Sequence, residues 1–448
     1  MSTPHCYSID NVSVALQLEG GAEAIASALE RAIRDGLLAP GAESPSVREL
    51  ASAAGVSTST AAAALAELRR RGLIVTRAGK RSHISARPPL QRIGVDAAPS
   101  GTRDLSDGYP DEALLPDLGP ILARLTLRRR GYGEDPVLPQ LAELAHAEFA
   151  QADLRTDNLC LTSGALDGVE RALAAQLRPG ARVAIEDPGY AALIDLLRAL
   201  GFVPTPVSID ERGPIPESLA DALAAGVEAF VLTPRAQNPT GAALDPQRAT
   251  ELVGLVSRQP ELMIVEDDHQ GALAGPPSLS IAHQQTRWAR VRSVAKELGP
   301  DLRLAFLAGD EITVSRVAGR LELGPGWVSE ILQNLVVALL LDPNVHAGLA
   351  QASRRYDQRR QALLDALTTV GIEATGSSGF NVWIPVADET SVVAALIGRG
   401  WFVAAGAPFR LLSPPAIRVT TAKLPPADAE QFAADLAATL ETKQRRTA

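Results

Sequence analysis

The 448-residue sequence lacks several features that would place it in a specialised class of protein. Its two cysteines, Cys6 and Cys160, make neither a disulfide framework nor a zinc-ligand spacing, and we predict no metal site. No apolar run approaches the ~20 residues of a membrane-spanning helix, so we expect no membrane partner. The first ten residues are polar and lack the apolar core of a signal peptide. These absences favour a cytoplasmic protein.

The length and composition indicate a globular protein with two or three domains. Hydrophobic residues make up 46% of the chain and charged residues 21%. The net charge of −9 is unevenly distributed, because residues 1–90 carry ten Lys and Arg against eight Asp and Glu, and the remainder carries 33 against 44. Seven of the basic residues fall within residues 67–90. This cluster is typical of a phosphate-backbone binder, or of a solvated helix end.

Apolar spacing near the N-terminus predicts three short helices. Ala22–Arg34 repeats apolar residues at helical spacing. Ser46 and Glu49 have the spacing of a capping box, which starts a second helix that ends near Gly55. A third helix follows over Thr58–Arg71, and two short strands around a basic turn come after it. Helix, glycine-containing turn and helix make a helix-turn-helix, and the two strands make a wing.

Four spaced segments of this region resemble the winged helix-turn-helix of GntR-type bacterial regulators. They are Gly36-Leu-Leu-Ala-Pro-Gly, Pro45-Ser-Val-Arg-Glu-Leu-Ala, Gly55-Val-Ser and Leu68 to Leu73. The resemblance implies that operator DNA is contacted by Arg48, Ser57, Thr58, Ser59, Thr60 and the wing residues Lys80 and Arg81. Thr58 stands where the family usually has arginine, so the contact there is weaker or different. Capping of the third helix is the alternative role for Ser57 to Thr60.

The pattern divides the chain into a winged helix-turn-helix domain over residues 12–88, a linker over 89–104 and an α/β domain over 105–446. The linker has no periodicity and is rich in proline, glycine and alanine. At ~3 Å per residue it can carry the small domain across to a partner subunit, in a head-to-tail dimer. From about residue 135 short apolar strands alternate with helices. This alternation predicts a mainly parallel sheet with functional sites at the carboxyl ends of its strands.

A lysine and an arginine follow one of the predicted strands. Arg290–Val294 has the pattern of a strand, Lys296 comes after it, and Arg303 lies seven positions further on. A lysine amine forms a Schiff base with an aldehyde when it is partly desolvated and oriented. An arginine binds a phosphate through two parallel hydrogen bonds. The pair suggests a site for pyridoxal 5′-phosphate (PLP), although a surface lysine and a helix-capping arginine give the same spacing.

Polar residues after the other predicted strands add to this interpretation. Ser163-Gly-Ala-Leu-Asp-Gly opens a helix whose free N–H groups suit a phosphate. Tyr190 can stack on a planar ligand, and Asn238 can donate a hydrogen bond to a phenolate oxygen. A carboxylate in Glu266-Asp-Asp-His can keep a pyridine nitrogen protonated. Arg418 lies inside an apolar run, where a ligand carboxylate would satisfy an otherwise costly charge.

The order and spacing of these segments resemble the fold-type I PLP-dependent aminotransferases over essentially all of residues 105–446. That resemblance implies an α/β fold with a mainly parallel seven-stranded sheet, a smaller C-terminal α+β lobe, and PLP as the cofactor. It implies Lys296 as the Schiff-base lysine, Asp267 as the partner of the pyridine nitrogen, and Arg418 as the carboxylate clamp of a substrate or effector. The other implied cofactor contacts are Gly164, Ala165, Leu166, Tyr190, Asn238, His269, Ser293, Arg303 and, across the interface of a homodimer, Tyr132. Joined to a GntR-type region, the whole chain resembles a MocR-type regulator.

Three positions depart from the aminotransferase pattern. His269 stands where tyrosine is usual beside the ring oxygen, and Ala165 and Ala295 stand where hydroxyl residues usually bind the phosphate. Each lost hydroxyl contact is worth ~1–3 kcal/mol because its acceptor is charged. We therefore predict that PLP binds less tightly than in a typical aminotransferase.

Three functions are compatible with these patterns. The first is a PLP-dependent transcriptional regulator that senses PLP, or an amino compound that forms an aldimine with it. The second is a working aminotransferase, for which Lys296, Asp267 and Arg418 supply the chemical groups. The third is a DNA-binding protein whose pocket serves only for dimerisation, which Ala165 and Ala295 favour. We expect the first of these.

Overall fold

The computed structural model of the chain describes residues 21–34, 38, 41–70, 73–75, 82–85, 98–154, 157–282 and 285–447. These residues form two compact units that divide near residue 92. Cys6, Lys80 and Arg81 lie outside the described ranges. Cys160 is buried, and burial raises the pKa of its thiol to about 12.

The described residues up to Ser85, in the first unit, form three helices and a two-stranded antiparallel sheet. Its elements are α1 (Ala22–Arg34), α2 (Val47–Ala54), α3 (Thr58–Arg70), β1 (Ile74–Val75) and β2 (His83–Ile84). The predicted capping box is confirmed, because the Ser46 N–H donates to Glu49 Oε2 at 2.7 Å and the Glu49 N–H donates to Ser46 Oγ at 3.2 Å. α2 ends at Gly55, whose φ of 63° is a left-handed conformation that glycine adopts without strain.

One small apolar core joins the elements of the first unit. Its largest members are Ile25, Leu29, Leu50, Leu65, Leu68, Ile74 and Ile84. Ile25 and Leu29, like Leu65 and Leu68, are spaced three or four residues apart and therefore share one face of their helix. Ile74 and Ile84 are register partners across the two strands, so the short sheet closes this core.

An eight-stranded sheet is the centre of the second unit, which begins with a separate short strand, β3 (Arg103–Leu105). The eight strands are β4 (Leu159–Thr162), β5 (Arg182–Asp187), β6 (Val203–Asp210), β7 (Gly213–Pro214), β8 (Ala229–Leu232), β9 (Met263–Asp268), β10 (Trp288–Ser293) and β11 (Ala305–Gly309). They lie in the order β4-β11-β10-β9-β8-β5-β6-β7. β5, β8, β9 and β10 are parallel, and β11 runs antiparallel between β10 and β4. The predicted mainly parallel sheet is confirmed, with two-residue β7 as an eighth strand beside the predicted seven.

Helices lie before, between and after the strands of this sheet. They are α4 (Gly119–Leu122), α5 (Pro139–Ala150), α6 (Ala165–Gln176), α7 (Ala191–Ala199), α8 (Pro216–Ala224), α9 (Pro246–Val256), α10 (Ala295–Leu298), α11 (Glu311–Glu322), α12 (Glu330–Leu340) and α13 (Pro343–Thr369). β8, β9 and β10 are buried along their whole length, but of these three only β8 is apolar throughout, since β9 ends in three buried carboxylates and β10 contains two buried arginines. α6 packs closely on β10 because Gly168 has no side chain, and a Cβ there would lie 2.8 Å from Val291.

A smaller lobe completes the second unit. Its elements are β12 (Asn381–Pro385), α14 (Glu389–Ile397), β13 (Trp401–Ala405), β14 (Ala416–Thr420) and α15 (Pro426–Thr447). Its four-stranded sheet has the order β12-β14-β13-β3, and β3 pairs with β13 in parallel. β3 begins at Arg103, so the last two residues of the region predicted as a linker, Arg103 and Asp104, belong instead to a strand of the C-terminal lobe.

Neither a membrane span nor a metal centre is evident in the part of the chain that the structure describes. No single described helix is long and apolar enough to cross a bilayer, and Glu330–Leu340 with Pro343–Thr369, bent by 75°, pass by length and composition only. No group of three or more His, Cys, Asp or Glu among the described residues is placed to hold a metal ion.

Candidate cofactor and effector site

Lys296 lies in α10, a single helical turn that follows β10. Its ammonium group donates a hydrogen bond to the carbonyl oxygen of Gly108 at 2.6 Å. The same nitrogen lies 4.8 Å from the ring centre of Tyr109 and 5.8 Å from that of Phe380. Two aromatic rings and a carbonyl oxygen thus replace part of the water around the amine. Partial desolvation is the condition under which a lysine acts as a nucleophile.

Arg418, on β14, is 4% exposed. Its guanidinium group donates to Asn238 Oδ1 at 3.0 Å and to the carbonyl oxygen of Ser106, and it lies 4.7 Å from the ring centre of Phe409. Its Nε has no partner among the described residues. Burial lowers the pKa of Arg418 to about 10, although Asp107 acts in the opposite direction. A buried guanidinium group whose hydrogen-bond partners are neutral oxygens is suited to a ligand carboxylate.

Gly108 lies between the two cations. Its carbonyl oxygen binds Lys296, and its N–H donates to Thr420 Oγ1 at 3.1 Å. Its φ is +68°, and a Cβ at this position would lie 3.0 Å from Arg418 Nη1. Both the conformation and the space therefore favour glycine.

Asp267 is buried near the end of β9, and its Oδ1 has no hydrogen-bond partner among the described residues. Burial, with a smaller contribution from Asp268, raises the pKa of Asp267 to about 7. Glu186, near the end of β5, is also buried, and its Oε1 has no partner within the same ranges. Burial raises the pKa of Glu186 to about 8, and Asp267 adds to this effect. The unsatisfied oxygen of Asp267 could accept a hydrogen bond from a ring N–H of a ligand.

The start of α6 offers a site for a phosphate. Gly164 precedes this helix with a φ of +108°, and Arg303 Nη2 donates to the carbonyl oxygen of Ser163 at 3.1 Å. The Arg303 guanidinium group packs on Gly164 so closely that a Cβ there would overlap it. The first N–H groups of a helix have no intrahelical acceptor, so those of Ala165 and Leu166 can bind an anion beside Arg303.

The remaining predicted residues differ in their surroundings. Burial, followed by the charge of Lys296, lowers the pKa of His269 to about 4, so this imidazole is neutral near pH 7. Tyr190 is half-buried directly before α7. Ser293 is buried, and its Oγ accepts a hydrogen bond from the Ala295 N–H at 3.3 Å. Tyr132 is 96% exposed and packs edge-on against Trp327, with 5.9 Å between ring centres.

These surroundings fit PLP. The N-terminus of α6 with Arg303 matches its phosphate, and the unpaired Oδ1 of Asp267 matches its ring N–H. Lys296 matches its aldehyde. Arg418 offers a further position for the carboxylate of a second compound.

The structure adds residues to this site that the sequence analysis missed. Ser106, Gly108 and Tyr109 contact Lys296 or Arg418 although they lie some 190 to 310 positions away in the chain. The Asp-Gly-Tyr-Pro sequence of this segment is a turn signal that could have marked it as a loop, but not as part of the site. Glu186 was also missed, because its position inside an apolar strand gives no local signal.

In the first unit, the predicted DNA contacts lie at the starts of α2 and α3. Arg48, Ser57, Thr58 and Ser59 are exposed, and Thr60 is half-buried. Ser57 Oγ accepts a hydrogen bond from the Thr60 N–H at 3.1 Å, so this serine caps α3. The capping role considered from the sequence is therefore present, and the hydroxyl groups of Ser59 and Thr60 also share hydrogen bonds with Ser57 Oγ, at 2.7 and 2.8 Å.

Comparison with known proteins identifies the family. Residues 21–84 match the family described as bacterial regulatory proteins, gntR family, and residues 123–436 match aminotransferase class I and II. The chain is 39% identical over 396 residues to the vitamin B6 salvage pathway transcriptional repressor PtsJ of Salmonella typhimurium, covering 88% of this chain and 92% of that protein. The chain belongs to the MocR-type regulators. The predicted PLP-dependent transcriptional regulator is confirmed at this level.

Two further similarities concern a second transcriptional regulator and the fold of the large unit of this MocR-type regulator. It is 26% identical over 360 residues to the pyridoxine biosynthesis transcriptional regulator PdxR of Corynebacterium glutamicum, covering 76% of this chain and 77% of that protein. An archaeal alanine:glyoxylate aminotransferase of known structure has a TM-score of 0.69 at 22% identity, covering 76% of this chain and 91% of that one. The second likeness shows that the large unit has the aminotransferase fold.

Proposed function

We propose that the second unit of this regulator senses PLP, or an amino compound that reacts with PLP, and that the first unit binds operator DNA. The observation that best supports this proposal is the position of the segment Ser106–Gly108. Its carbonyl oxygens bind both Lys296 and Arg418, the two buried or half-buried cations to which a ligand would bind. A ligand must therefore compete with this segment.

Each predicted cofactor contact has a role in the proposal. When bound, PLP supplies an aldehyde that condenses with an amine and a ring that withdraws electrons from the new bond. The N–H groups of Gly164, Ala165 and Leu166 would bind its phosphate together with Arg303 and Ser293. Asp267 would accept the ring N–H, and Tyr190 would stack on the ring. Asn238 Oδ1 accepts a hydrogen bond from Arg418, so the amide N–H₂ of Asn238 can donate to the ring oxygen. Neutral His269 would lie beside the same oxygen.

Ligand binding would release the segment that now binds the two cations. A carboxylate at Arg418 replaces the carbonyl oxygen of Ser106 with a charged acceptor, which forms the stronger hydrogen bond. Covalent use of Lys296 removes its hydrogen bond to Gly108. The released segment directly follows β3 in the chain, and the residues before β3 lead back to the GntR-type region. A shift in the population of its two positions would thus alter DNA binding.

The proposal includes a homodimer in which Tyr132 reaches the PLP phosphate of the other subunit. Tyr132 and several apolar side chains on the surface of the second unit are exposed, which a second copy could cover. These side chains are Leu122, Leu127, Leu323 and Ile331. Arg48 and the residues Ser57 to Thr60, with the predicted wing residues Lys80 and Arg81, would face the DNA. A protein that binds the bacterial chromosome acts in the cytoplasm.

The proposal is tested by measuring the affinity of the full-length protein for a labelled DNA fragment from its own upstream region, by fluorescence anisotropy. We expect PLP to change the dissociation constant, and an amino compound to change it again. An affinity that is the same without PLP, with PLP and with every amine in a panel of amino acids would contradict the proposal.

Aminotransferase activity is a second candidate, favoured by the presence of Lys296, Asp267 and Arg418 in suitable surroundings. It is tested by incubating the PLP-loaded protein with single amino acids and measuring the 2-oxo acids by mass spectrometry. Release of one equivalent within seconds, followed by turnover with a second 2-oxo acid, would show an enzyme. Release that takes hours would leave sensing as the function of the site.

A further inference from the structure

The side chain of Glu297, the neighbour of Lys296 in α10, is only 1% exposed and accepts two hydrogen bonds. Its Oε1 accepts from Arg292 Nη2 at 2.6 Å, and its Oε2 accepts from the Ala272 N–H at 3.0 Å. α10 comprises only four residues. A single helical turn is marginally stable by itself, so its orientation depends on contacts of this kind.

Arg292 connects this turn to two other elements. The side chain of Arg292 is 4% exposed, and its three nitrogens bind Glu148 of α5, the carbonyl oxygen of Ser293, and Glu297. Burial by itself would lower the pKa of Arg292, but Glu148 and Glu297 outweigh it and raise the pKa. The guanidinium group therefore stays charged, and its planar shape fixes three directions at once.

Gly271 provides the space for this arrangement. It packs on the Arg292 guanidinium group so closely that a Cβ at this position would overlap it, and its φ is +53°. The next residue, Ala272, supplies the N–H that binds Glu297. Arg292 is also the register partner of Asp268 across β9 and β10. The contacts therefore join the segment after β9, which follows Asp267, to the turn that carries Lys296.

We propose that the buried Arg292–Glu297 pair, seated on Gly271, is a positioning device for Lys296. The pair fixes the turn that carries the lysine relative to the strand end that carries Asp267. The amine and the ring-binding carboxylate then keep one spacing, which covalent attachment requires because a misplaced nucleophile reacts slowly. This inference rests on the proposed role of Lys296 as the lysine that attaches PLP. Arg292 and Glu297 act through Lys296 and need not touch the ligand.

The test compares two ligands of full-length Glu297→Gln and wild-type protein. The first is PLP, whose attachment is followed by visible absorbance and located on Lys296 by borohydride reduction and peptide mass spectrometry. The second is pyridoxine 5′-phosphate, which has the same ring and phosphate but no aldehyde. We expect covalent attachment of PLP to become about tenfold slower or weaker, while affinity for the aldehyde-free compound changes less than about twofold. An equal loss for both ligands, or no loss for either, would overturn the inference.

Two further variants make the result specific. Asp210→Asn removes one of the two carboxylate partners of another buried arginine, Arg248, on different elements, and should change the binding of neither ligand. Arg292→Lys keeps the charge but loses the planar group, and carries the same test if Glu297→Gln yields no folded protein by circular dichroism. If the wild-type protein does not attach PLP at Lys296, the proposed function fails. If it does and the folded variant, Glu297→Gln or in its place Arg292→Lys, attaches PLP as well as the wild type, only this inference fails.

Discussion

Neighbouring carboxylates on the two faces of β9 differ in whether arginine side chains pair with them. Glu266 and Asp268 share one arginine, with 2.7 Å from Arg290 Nη1 to Glu266 Oε2 and 3.0 Å from Arg290 Nη2 to Asp268 Oδ2. Arg235 adds a second partner to Asp268 at 2.8 Å. Asp267, between them in the sequence, points to the other face of the strand and leaves one oxygen unpaired among the described residues.

This difference indicates that Glu266 and Asp268 belong to a structural cluster and that Asp267 belongs to a ligand site. Burial by itself would raise the pKa of Asp268, but Arg235 and Arg290 outweigh it and leave the pKa lowered. At Asp267 burial, together with the charge of Asp268, outweighs the opposing charge of Arg290, and the pKa rises to about 7. A buried carboxylate without a partner costs stability, so its presence is better explained by a ligand than by folding.

The largest expected effect on stability comes from removing Arg290, which pairs with both Glu266 and Asp268. Arg290→Met leaves Glu266 and Asp268 buried with one partner fewer, and should lower the free energy of unfolding by about 3–5 kcal/mol. Urea unfolding followed by circular dichroism measures it. Arg287→Met, which breaks the exposed pair of Arg287 and Glu261, should cost at most about 1 kcal/mol. Equal losses in the two variants would show that the Arg290 cluster is not structural.

A substitution of Asp267, on the other face of β9, should instead change the affinity for PLP. Asp267→Asn removes the negative charge that a protonated ring nitrogen would meet, and should weaken PLP binding about 10- to 100-fold. Without PLP the variant should be no less stable than the wild type at pH 8. The two quantities are measured by absorbance titration and by urea unfolding. If the variant binds PLP normally but unfolds more easily, Asp267 serves stability and not ligand binding.

The pH dependence of the PLP-free protein sharpens the comparison further. The pKa values of Asp267 and Glu186 are raised to about 7 and about 8, so the stability they contribute is fully present below their unfolded values and is lost as the pH rises through 7 to 8. The free energy of unfolding should therefore fall between pH 6 and pH 8.5. Asp267→Asn should show a shallower fall, measured by urea unfolding at each pH. A steeper fall in the variant would contradict the raised pKa.

The smallest expected effect concerns the departures from the aminotransferase pattern. Ala295→Ser restores a hydroxyl group at the start of α10, and should tighten PLP binding about fivefold through a hydrogen bond to a charged acceptor. Ala295→Gly, which adds no hydroxyl group, is the matched control. Fluorescence titration compares the three proteins. Weaker binding by the serine variant would place the phosphate elsewhere.

The sequence predicted the elements whose signals are local. The capping box of Ser46 and Glu49 depends on residues three apart, and strand and helix alternation depends on short periods. Lys296 and Arg418 were singled out because each follows or lies within an apolar strand, whereas Asp267 was chosen among the carboxylates of Glu266-Asp-Asp-His by the resemblance to the aminotransferases. Asn238, by contrast, was given a role toward the ring oxygen, and the structure shows in addition that it binds Arg418.

Contacts between distant segments could not be predicted in this way. The hydrogen bond from Lys296 to Gly108 joins residues 188 positions apart, and that from Gly108 to Thr420 joins residues 312 positions apart. No period or spacing encodes such a pair, because the fold of two sheets brings them together. The charged face of β9 was missed for the same reason, since Arg235 lies in the loop after β8 and Arg290 lies on β10.

The most direct test of the account is the DNA affinity of Lys296→Ala with and without PLP, measured by fluorescence anisotropy on the protein's own upstream region. We expect this variant to lose the visible absorbance of attached PLP, and we expect its affinity for the DNA to stay the same when PLP is added. A variant whose DNA affinity still responds to PLP as the wild type does would contradict the claim that the site around Lys296 controls DNA binding.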